Sequence, residues 1–166
     1  DACYIGGKDF SLRANATNFS REEIAYAVEY AHNLKKKVYV TVNTLVYDAE
    51  VDRFINYIDF LHKNNVDAVI MQDIGMIDLV RKIYPNLEIH ASTQMHIHNL
   101  DGTQLMEKLE MKRVVLARET SIDDINDQIK DNQLELEESV YDIRQFYNQK
   151  FGLNFTRFHF FVVSYG

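Results

Sequence analysis

Three histidines and three neutral polar side chains are crowded into the nine residues 90–98. The apolar run before them is typical of a buried strand, and the stretch itself holds side chains that donate, accept or carry protons. In a chain that alternates strands and helices, the loops after the carboxyl ends of the strands open onto one face, where ligands usually bind. We therefore take this stretch as the first candidate site, with His90, Ser92 and Gln94 as members.

Polar residues also follow the other predicted strands. Asn43 ends one strand, Gln72 and Asp73 end another, and Arg118 with Glu119 ends a third. We predict that these side chains converge on one cavity, together with one residue of the longer first loop. The candidate catalytic residues are Arg118, Glu119 and His90, and the candidate substrate-binding residues are Arg13, Asn43, Gln72, Asp73, Ser92 and Gln94.

Arg118 and Glu119 form the pair best suited to chemistry or anion recognition. Arginine holds a carboxylate or phosphate by two parallel hydrogen bonds, and Glu119 could orient it. A bound small anion is expected to contact Arg118 or Arg13. The alternative is a structural ion pair at a barrel rim; likewise His90 could be an ordinary hydrogen-bonded strand residue, and the amides and hydroxyls could tie down loops.

A metal site is the less favoured interpretation of the histidines. His96 and His98 would point the same way in an extended segment, and His90 or Asp73 could be a third ligand for zinc or iron. No ligand spacing here is diagnostic, because such histidines commonly form only hydrogen bonds. No metal site is predicted.

Composition limits the remaining functions. The 166 residues are 46% hydrophobic and 26% charged, with a net charge of −7, which is ordinary for one globular domain and offers no basic field for nucleic acid or membrane. The single cysteine, Cys3, excludes an internal disulfide and any site built from several cysteines of this chain. Neither Cys3 nor Ser92 lies in a recognisable nucleophile motif. With no signal peptide or membrane span visible, a cytoplasmic location is expected.

The periodicity predicts alternating strands and helices. Ser20 and Glu23 form a capping box that starts the first helix, Asp48 is the predicted cap of the second, and Pro85 ends the third. A sixth strand could open near residue 134, and an open sheet edge could pair with another copy of the chain. Strands are predicted at residues 2–6, 38–43, 68–72, 87–91 and 114–117.

Parallel strands need such helical crossovers, which leaves a doubly wound sheet or a (β/α) barrel. The fold class is therefore α/β, with a partial (β/α) TIM-type barrel or a curved parallel sheet with outer helices preferred. Five strands are too few to close an eight-stranded barrel, so the barrel interpretation requires an incomplete chain.

Five ordered blocks of this pattern resemble the collagenase-like peptidase family, peptidase U32. They are residues 1–7 (DACYIGG) with 10–14 (FSLRA), 37–44 (KVYVTVNT), 67–73 (DAVIMQD), 90–94 (HASTQ) and 113–119 (RVVLARE). The resemblance covers residues 1–137 and implies the amino-terminal barrel domain of that family, less its first strand and helix. It also implies a protease, or a relative that hydroxylates RNA bases or a quinone precursor with an iron–sulfur cluster, with a peptide or RNA as substrate.

Residues 138–166 do not resemble the family and read as a helix followed by an aromatic strand. The family's cysteines are missing there, so no cofactor is expected on this chain, which alone is expected to be inactive. Two interpretations stay open. One is the barrel portion of a U32-type enzyme, and the other is a catalytically silent binding or scaffold fragment with a small-anion pocket.

Overall fold

The protein is represented by a computed structural model, which describes residues 2–12, 18–117, 120–121 and 125 and the backbone of 135–137. Strands and helices alternate along this part of the chain. Their bounds are β1 Ala2–Gly6, α1 Arg21–Asn33, β2 Lys37–Val42, α2 Val51–Lys63, β3 Ala68–Met71, α3 Ile74–Ile83, β4 Glu88–Ala91, α4 Leu100–Lys108, β5 Arg113–Val115 and β6 Glu135–Glu137.

The six strands form one parallel sheet in the order β1-β2-β3-β4-β5-β6. Right-handed crossovers that always step in the same direction place their helices on one face of the sheet. A doubly wound sheet would instead reverse its strand order, so that alternative is excluded. The sheet is singly wound, and the predicted partial barrel with outer helices is confirmed. The sixth strand predicted near residue 134 is present as β6.

Apolar residues cover both faces of the central strands, as their nearly continuous hydrophobic sequences predict. The outer face packs against the helices through the main core, in which Val38, Val40, Val69 and Ile89 are fully buried. The inner face holds a second, smaller cluster made of Ala2, Tyr39, Ala68 and Ile70, with Tyr4 packed against it.

Local signals define where the helices begin and end. The capping box of α1 is confirmed, because Ser20 Oγ accepts a hydrogen bond from the Glu23 amide and Glu23 Oε2 accepts one from the Ser20 amide. Three helix-to-strand turns each pass through a residue with positive φ, where the following amide bonds back to the fifth residue before it. These residues are Lys35, Asn65 and Glu110.

The predicted cap of the second helix is wrong. Asp48 lies in a single 3-10 turn, Asp48–Glu50, and α2 begins after it at Val51. The Glu50 side chain, rather than that of Asp48, satisfies a free amide there by accepting from Tyr47 N.

The remaining expectations on the carboxyl-terminal part concern residues 138–166, which lie outside the described residues. Within the part that the structure describes, no helix is long and apolar enough to cross a membrane.

Candidate functional site

Hydrogen bonds join the loops that follow β1, β2 and β3 into one rim at the carboxyl end of the sheet. Asn43 is the central residue, since its Oδ1 accepts from the Leu12 amide at 3.2 Å and its carbonyl accepts from Gln72 Nε2 at 2.6 Å. Ser11 Oγ and Thr41 Oγ1 lie 3.1 Å apart beside them. The rim therefore consists of polar side chains whose partners are largely neighbouring loops.

Gly6 makes room for this polar packing at the end of β1. A Cβ at this position would lie 3.0 Å from both Asn18 Oδ1 and Ser11 Oγ and 3.4 Å from Thr41 Oγ1. The absence of a side chain thus lets loop oxygens approach the strand closely.

Asp73 ties the end of β3 to two other segments. Its Oδ1 accepts from Met76 N at 3.1 Å, which caps α3, and its Oδ2 accepts from Val46 N at 3.1 Å, which fixes the loop after β2. Both carboxylate oxygens are therefore used in holding the rim together. The sequence reveals only the first of these contacts, because an aspartate just before a helix is typical of a helix cap. It gives no sign of the second contact, with a backbone amide 27 residues away.

Ser92 and Gln94 extend the rim after β4. Ser92 is buried, its amide donates to the Met71 carbonyl at 2.8 Å, and its Oγ accepts from the Gln94 amide at 3.3 Å. Gln94 is exposed at the rim. Of these two residues, only Gln94 is exposed to solvent.

His90 lies inside the sheet's curve, below this rim. It is fully buried, its Nε2 is 2.8 Å from Glu88 Oε1, and its ring meets Tyr39 edge-on with centroids 4.7 Å apart. In the sheet, His90 lies opposite Ile70 of β3 on one side and opposite Arg113 of β5 on the other. The Arg113 guanidinium lies over the Tyr39 ring, 5.2 Å from its centroid.

Sequence reasoning missed Tyr39, Glu88 and Arg113 as members of this interior cluster. The alternation of side chains along a strand could have indicated part of it, because side chains two residues apart on a strand lie on the same face of the sheet. Glu88 and His90 are both polar and two apart within β4, so they mark a polar strip on a face that is otherwise apolar.

The structure thus brings five predicted site residues to one edge of the sheet: Asn43, Gln72, Asp73, Ser92 and Gln94. Arg13, Arg118 and Glu119 lie outside the described residues, and their predicted positions stay predictions. The described rim carries amide and hydroxyl groups beside the Asp73 carboxylate, whose two oxygens are already bonded to backbone amides.

The described residues contain no group of three histidine, cysteine or carboxylate side chains that could hold a metal ion. His96 and His98 are exposed, and the ring of His98 lies 3.3 Å from the backbone carbonyl of His96. Cys3 lies on the outer face of β1, packed against the helix side of the core. Its thiol pKa is raised, first by partial burial and then by the negative charge of Asp67.

The two contacts of Asp73 lead to a stability prediction. Asp73→Ala should lower the free energy of unfolding by about 2 kcal/mol, because it removes a helix cap and leaves the Val46 amide without its acceptor. Asp48→Ala is the matched control, since this exposed aspartate caps no α-helix, and its effect should stay within about 0.5 kcal/mol. Urea unfolding measures both, and equal effects would show that the Asp73 contacts contribute nothing.

Comparison with known proteins gives the family. The model of peptidase family U32 matches residues 1–143. The chain is 38% identical over 141 residues to tRNA hydroxylation protein P1 of Bacillus subtilis, covering 85% of this chain and 33% of that protein. It is 39% identical over 125 residues to the 23S rRNA 5-hydroxycytidine C2501 synthase of Escherichia coli, covering 75% of this chain and 18% of that protein.

A third relative is named a protease. The chain is 37% identical over 140 residues to an uncharacterized protease of Methanocaldococcus jannaschii, covering 82% of this chain and 34% of that protein. The chain therefore spans about a third or less of the length of these relatives.

A solved structure of a U32 peptidase shares the fold. It superposes with a TM-score of 0.69 at 12% identity, covering 83% of this chain and 60% of that chain. The singly wound parallel sheet described above is thus the architecture of that neighbour. With the family model matching most of its length, this chain belongs to peptidase family U32.

Proposed function

We propose that this chain is the substrate-binding barrel portion of an enzyme that hydroxylates an RNA base. The observation that carries the proposal is its 38–39% identity to relatives named for tRNA hydroxylation and for 23S rRNA 5-hydroxycytidine synthesis. Both alignments cover three quarters or more of the chain.

The rim supports a binding role more directly than a catalytic one. Gln72 and Gln94 offer amide groups at the carboxyl edge of the sheet, and amides can pair with the edge of a nucleobase. Arg118 and Arg13 are proposed to hold the phosphate or another anionic group of the substrate, and Glu119 is proposed to orient Arg118. With a net charge of −7, such local contacts must overcome a field that repels RNA.

The residues of this chain do not fit an iron–sulfur cluster, which the family resemblance implies for longer relatives. Cluster ligation requires several thiolates, whereas this chain has one cysteine, and Cys3 lies on the outer face of the sheet rather than at its carboxyl rim. No step is therefore assigned to a cluster on these residues. In this proposal the oxidative chemistry belongs to another part of a longer polypeptide.

Peptidase activity is less well supported by the geometry. Ser92 is buried with its Oγ held by the Gln94 amide, and Cys3 has a raised thiol pKa, so neither is an activated nucleophile. The silent-scaffold interpretation has a specific observation in its favour, because the side chains of Asn43, Asp73 and Ser92 all bond loop backbone. The two interpretations differ in whether the rim is required for RNA modification.

A chimaeric protein tests the proposal. Residues 1–143 of this chain, which the family model matches, would replace the corresponding segment of the Bacillus subtilis relative in a strain that lacks that protein. We expect hydroxylated nucleosides to reappear in digested tRNA, measured by liquid chromatography and mass spectrometry. A folded chimaera without hydroxylation would support the silent scaffold instead.

Arg118→Ala in this chimaera should lower the hydroxylated fraction by more than tenfold, because the anionic part of the substrate loses its proposed partner. Lys82→Ala is the control, since this exposed lysine on α3 pairs with Asp78 one turn away, and it should leave the fraction unchanged. An Arg118→Ala chimaera with full hydroxylation would remove Arg118 from the site.

A further inference from the structure

Four exposed apolar side chains border the polar rim at the carboxyl end of the sheet. Leu45 and Tyr47, in the loop after β2, are 68% and 79% exposed, and Ile74, the first residue of α3, is 57% exposed. Leu12, in the loop after β1, is 46% exposed. Apolar side chains exposed together beside polar groups are typical of a binding surface. These four residues are called the rim patch.

Alternation along the loop after β2 explains why two members of the rim patch face solvent. Val46 packs against the main core. The backbone at Tyr47 is extended, with φ −77° and ψ 153°. Neighbouring side chains of an extended segment point to opposite sides, so Leu45 and Tyr47 point away from the core that holds Val46.

Hydrogen bonds hold this loop in place. The Val46 amide donates to Asp73 Oδ2 at 3.1 Å, which joins the loop to the residue just before Ile74. The Tyr47 amide donates to Glu50 Oε2 at 3.3 Å, and the Tyr47 carbonyl accepts from the Glu50 amide at 2.7 Å. The Tyr47 ring is therefore presented on a backbone that is already fixed, which lowers the entropic cost of binding a ligand there.

The charges beside Tyr47 favour a nucleobase over a phosphate as its partner. Asp48 and Asp52 are exposed, and Glu50 is paired with Arg53 at 3.1 Å. Three carboxylates and one guanidinium repel a phosphate, whereas the flat face of a base is uncharged. Among the described residues, no other aromatic ring packs against Tyr47, so its ring is accessible to a base.

We propose that Tyr47, with Leu45 and Ile74 beside it, is a stacking platform for an unpaired RNA base that flanks the base to be hydroxylated. Proteins commonly bind single-stranded RNA by stacking its bases on exposed aromatic rings. The platform adjoins Gln72, the amide proposed to pair with the reacting base. This inference rests on the proposed function, and it makes the substrate an RNA loop or single strand rather than a duplex.

A fluorescent side chain at position 47 tests the platform. The 166-residue chain contains no tryptophan, so Tyr47→Trp introduces a single reporter. This variant is titrated with an RNA hairpin whose loop bases are unpaired, and with the same hairpin carrying abasic sites in its loop. The intact loop should quench the emission at concentrations at least about tenfold lower than the abasic loop, because stacking requires the base. Equal quenching by both hairpins, or quenching by neither, overturns the proposal.

Tyr26→Trp is the matched control for this titration. Tyr26 is 69% exposed and lies on α1, outside the rim loops, so the intact loop should leave the emission of this variant unchanged. Equal quenching at both positions would show unspecific contact and overturn the proposal. So would an emission of the Tyr47→Trp variant that shifts to shorter wavelength as protein concentration rises without RNA, because the rim patch would then bind a second copy.

Hydroxylation by the chimaera gives a second readout. Tyr47→Ala should lower the hydroxylated fraction of tRNA at least about fivefold, whereas Tyr47→Phe, which keeps the ring, should stay within about twofold of the parent. A Tyr47→Ala chimaera with full hydroxylation overturns the stacking role. A parent chimaera that hydroxylates no tRNA refutes the proposed function alone, because the quenching reports contact with RNA and requires no reaction.

Discussion

Replacing Gly7 with alanine is expected to destabilise the protein by about 3 kcal/mol, although only one methyl group is added. A Cβ at this position would lie 2.0 Å from the hydroxyl oxygen of Tyr57 and 3.2 Å from Ile24 Cδ1. Both neighbours are buried core residues and cannot swing into solvent. The chain after β1 must therefore separate from α2, or the Tyr57 ring must leave its place in the core.

The same contact predicts a rescue. The hydroxyl of Tyr57 is buried without a hydrogen-bond partner among the described residues, and burial raises its pKa, so Tyr57→Phe should be neutral or stabilise by about 1 kcal/mol. Because the phenylalanine removes the atom that clashes, the double variant should recover about 2 kcal/mol of the loss. The recovery is partial, since the ring carbon Cζ would still lie 3.2 Å away.

Gly75→Ala is the matched control for this prediction. Gly75 lies in the first turn of α3, and the nearest atom to an added Cβ is Asp73 Oδ1 at an ordinary 3.4 Å. Alanine there should stabilise by up to about 1 kcal/mol, because glycine is the poorer helix former. Urea unfolding of the four variants measures all of these values, and a Gly7→Ala protein as stable as the parent would contradict the packing described for Tyr57.

The fold could largely be predicted from the sequence because its signals are local. The strands at residues 38–43 and 68–72 were visible as nearly continuous apolar runs that end in a polar residue, and Ser20 with Glu23 defined the start of α1 from four residues alone. The order of the strands in the sheet cannot be predicted in this way. Singly wound and doubly wound sheets have the same alternation of strands and helices along the sequence. The family resemblance and the observed strand order, not the spacing of residues, distinguished the barrel from the doubly wound sheet.

The candidate site could be predicted only in outline. Its position at the strand ends follows from the topology, which is why Asn43, Gln72 and Ser92 occur together. Their partners are backbone groups of Leu12, Asn43 and Gln94, and a backbone partner leaves no trace in residue type. Asp48 shows the same limit, since nothing in its sequence context distinguishes a helix cap from a residue in a preceding 3-10 turn.

A large loss of stability from a single polar interior side chain is expected at His90. His90→Ala should lower the free energy of unfolding by about 3 kcal/mol, because it empties a fully buried position against Tyr39 and removes the partner of Glu88. Glu88→Gln should cost only about 1 kcal/mol, since Glu88 is partly exposed and its amide still reaches the imidazole. His98→Ala is the control, because this histidine is exposed, and its effect should stay within about 0.5 kcal/mol.

Measuring tRNA hydroxylation by variants of the chimaera distinguishes this packing role of His90 from a catalytic role. The catalytic role was predicted because His90 lies near the end of β4. Glu88→Gln and His90→Gln should reduce the hydroxylated fraction only as far as they reduce the amount of folded protein, which circular dichroism at the assay temperature reports. The opposite result would be a His90→Gln chimaera that is fully folded but hydroxylates tRNA more than tenfold less, while Glu88→Gln retains its activity. That result would mean that the imidazole acts on the substrate. The buried place of His90 beside Tyr39 and below the rim favours the first result, because a side chain that solvent does not reach cannot meet an RNA base unless the interior opens.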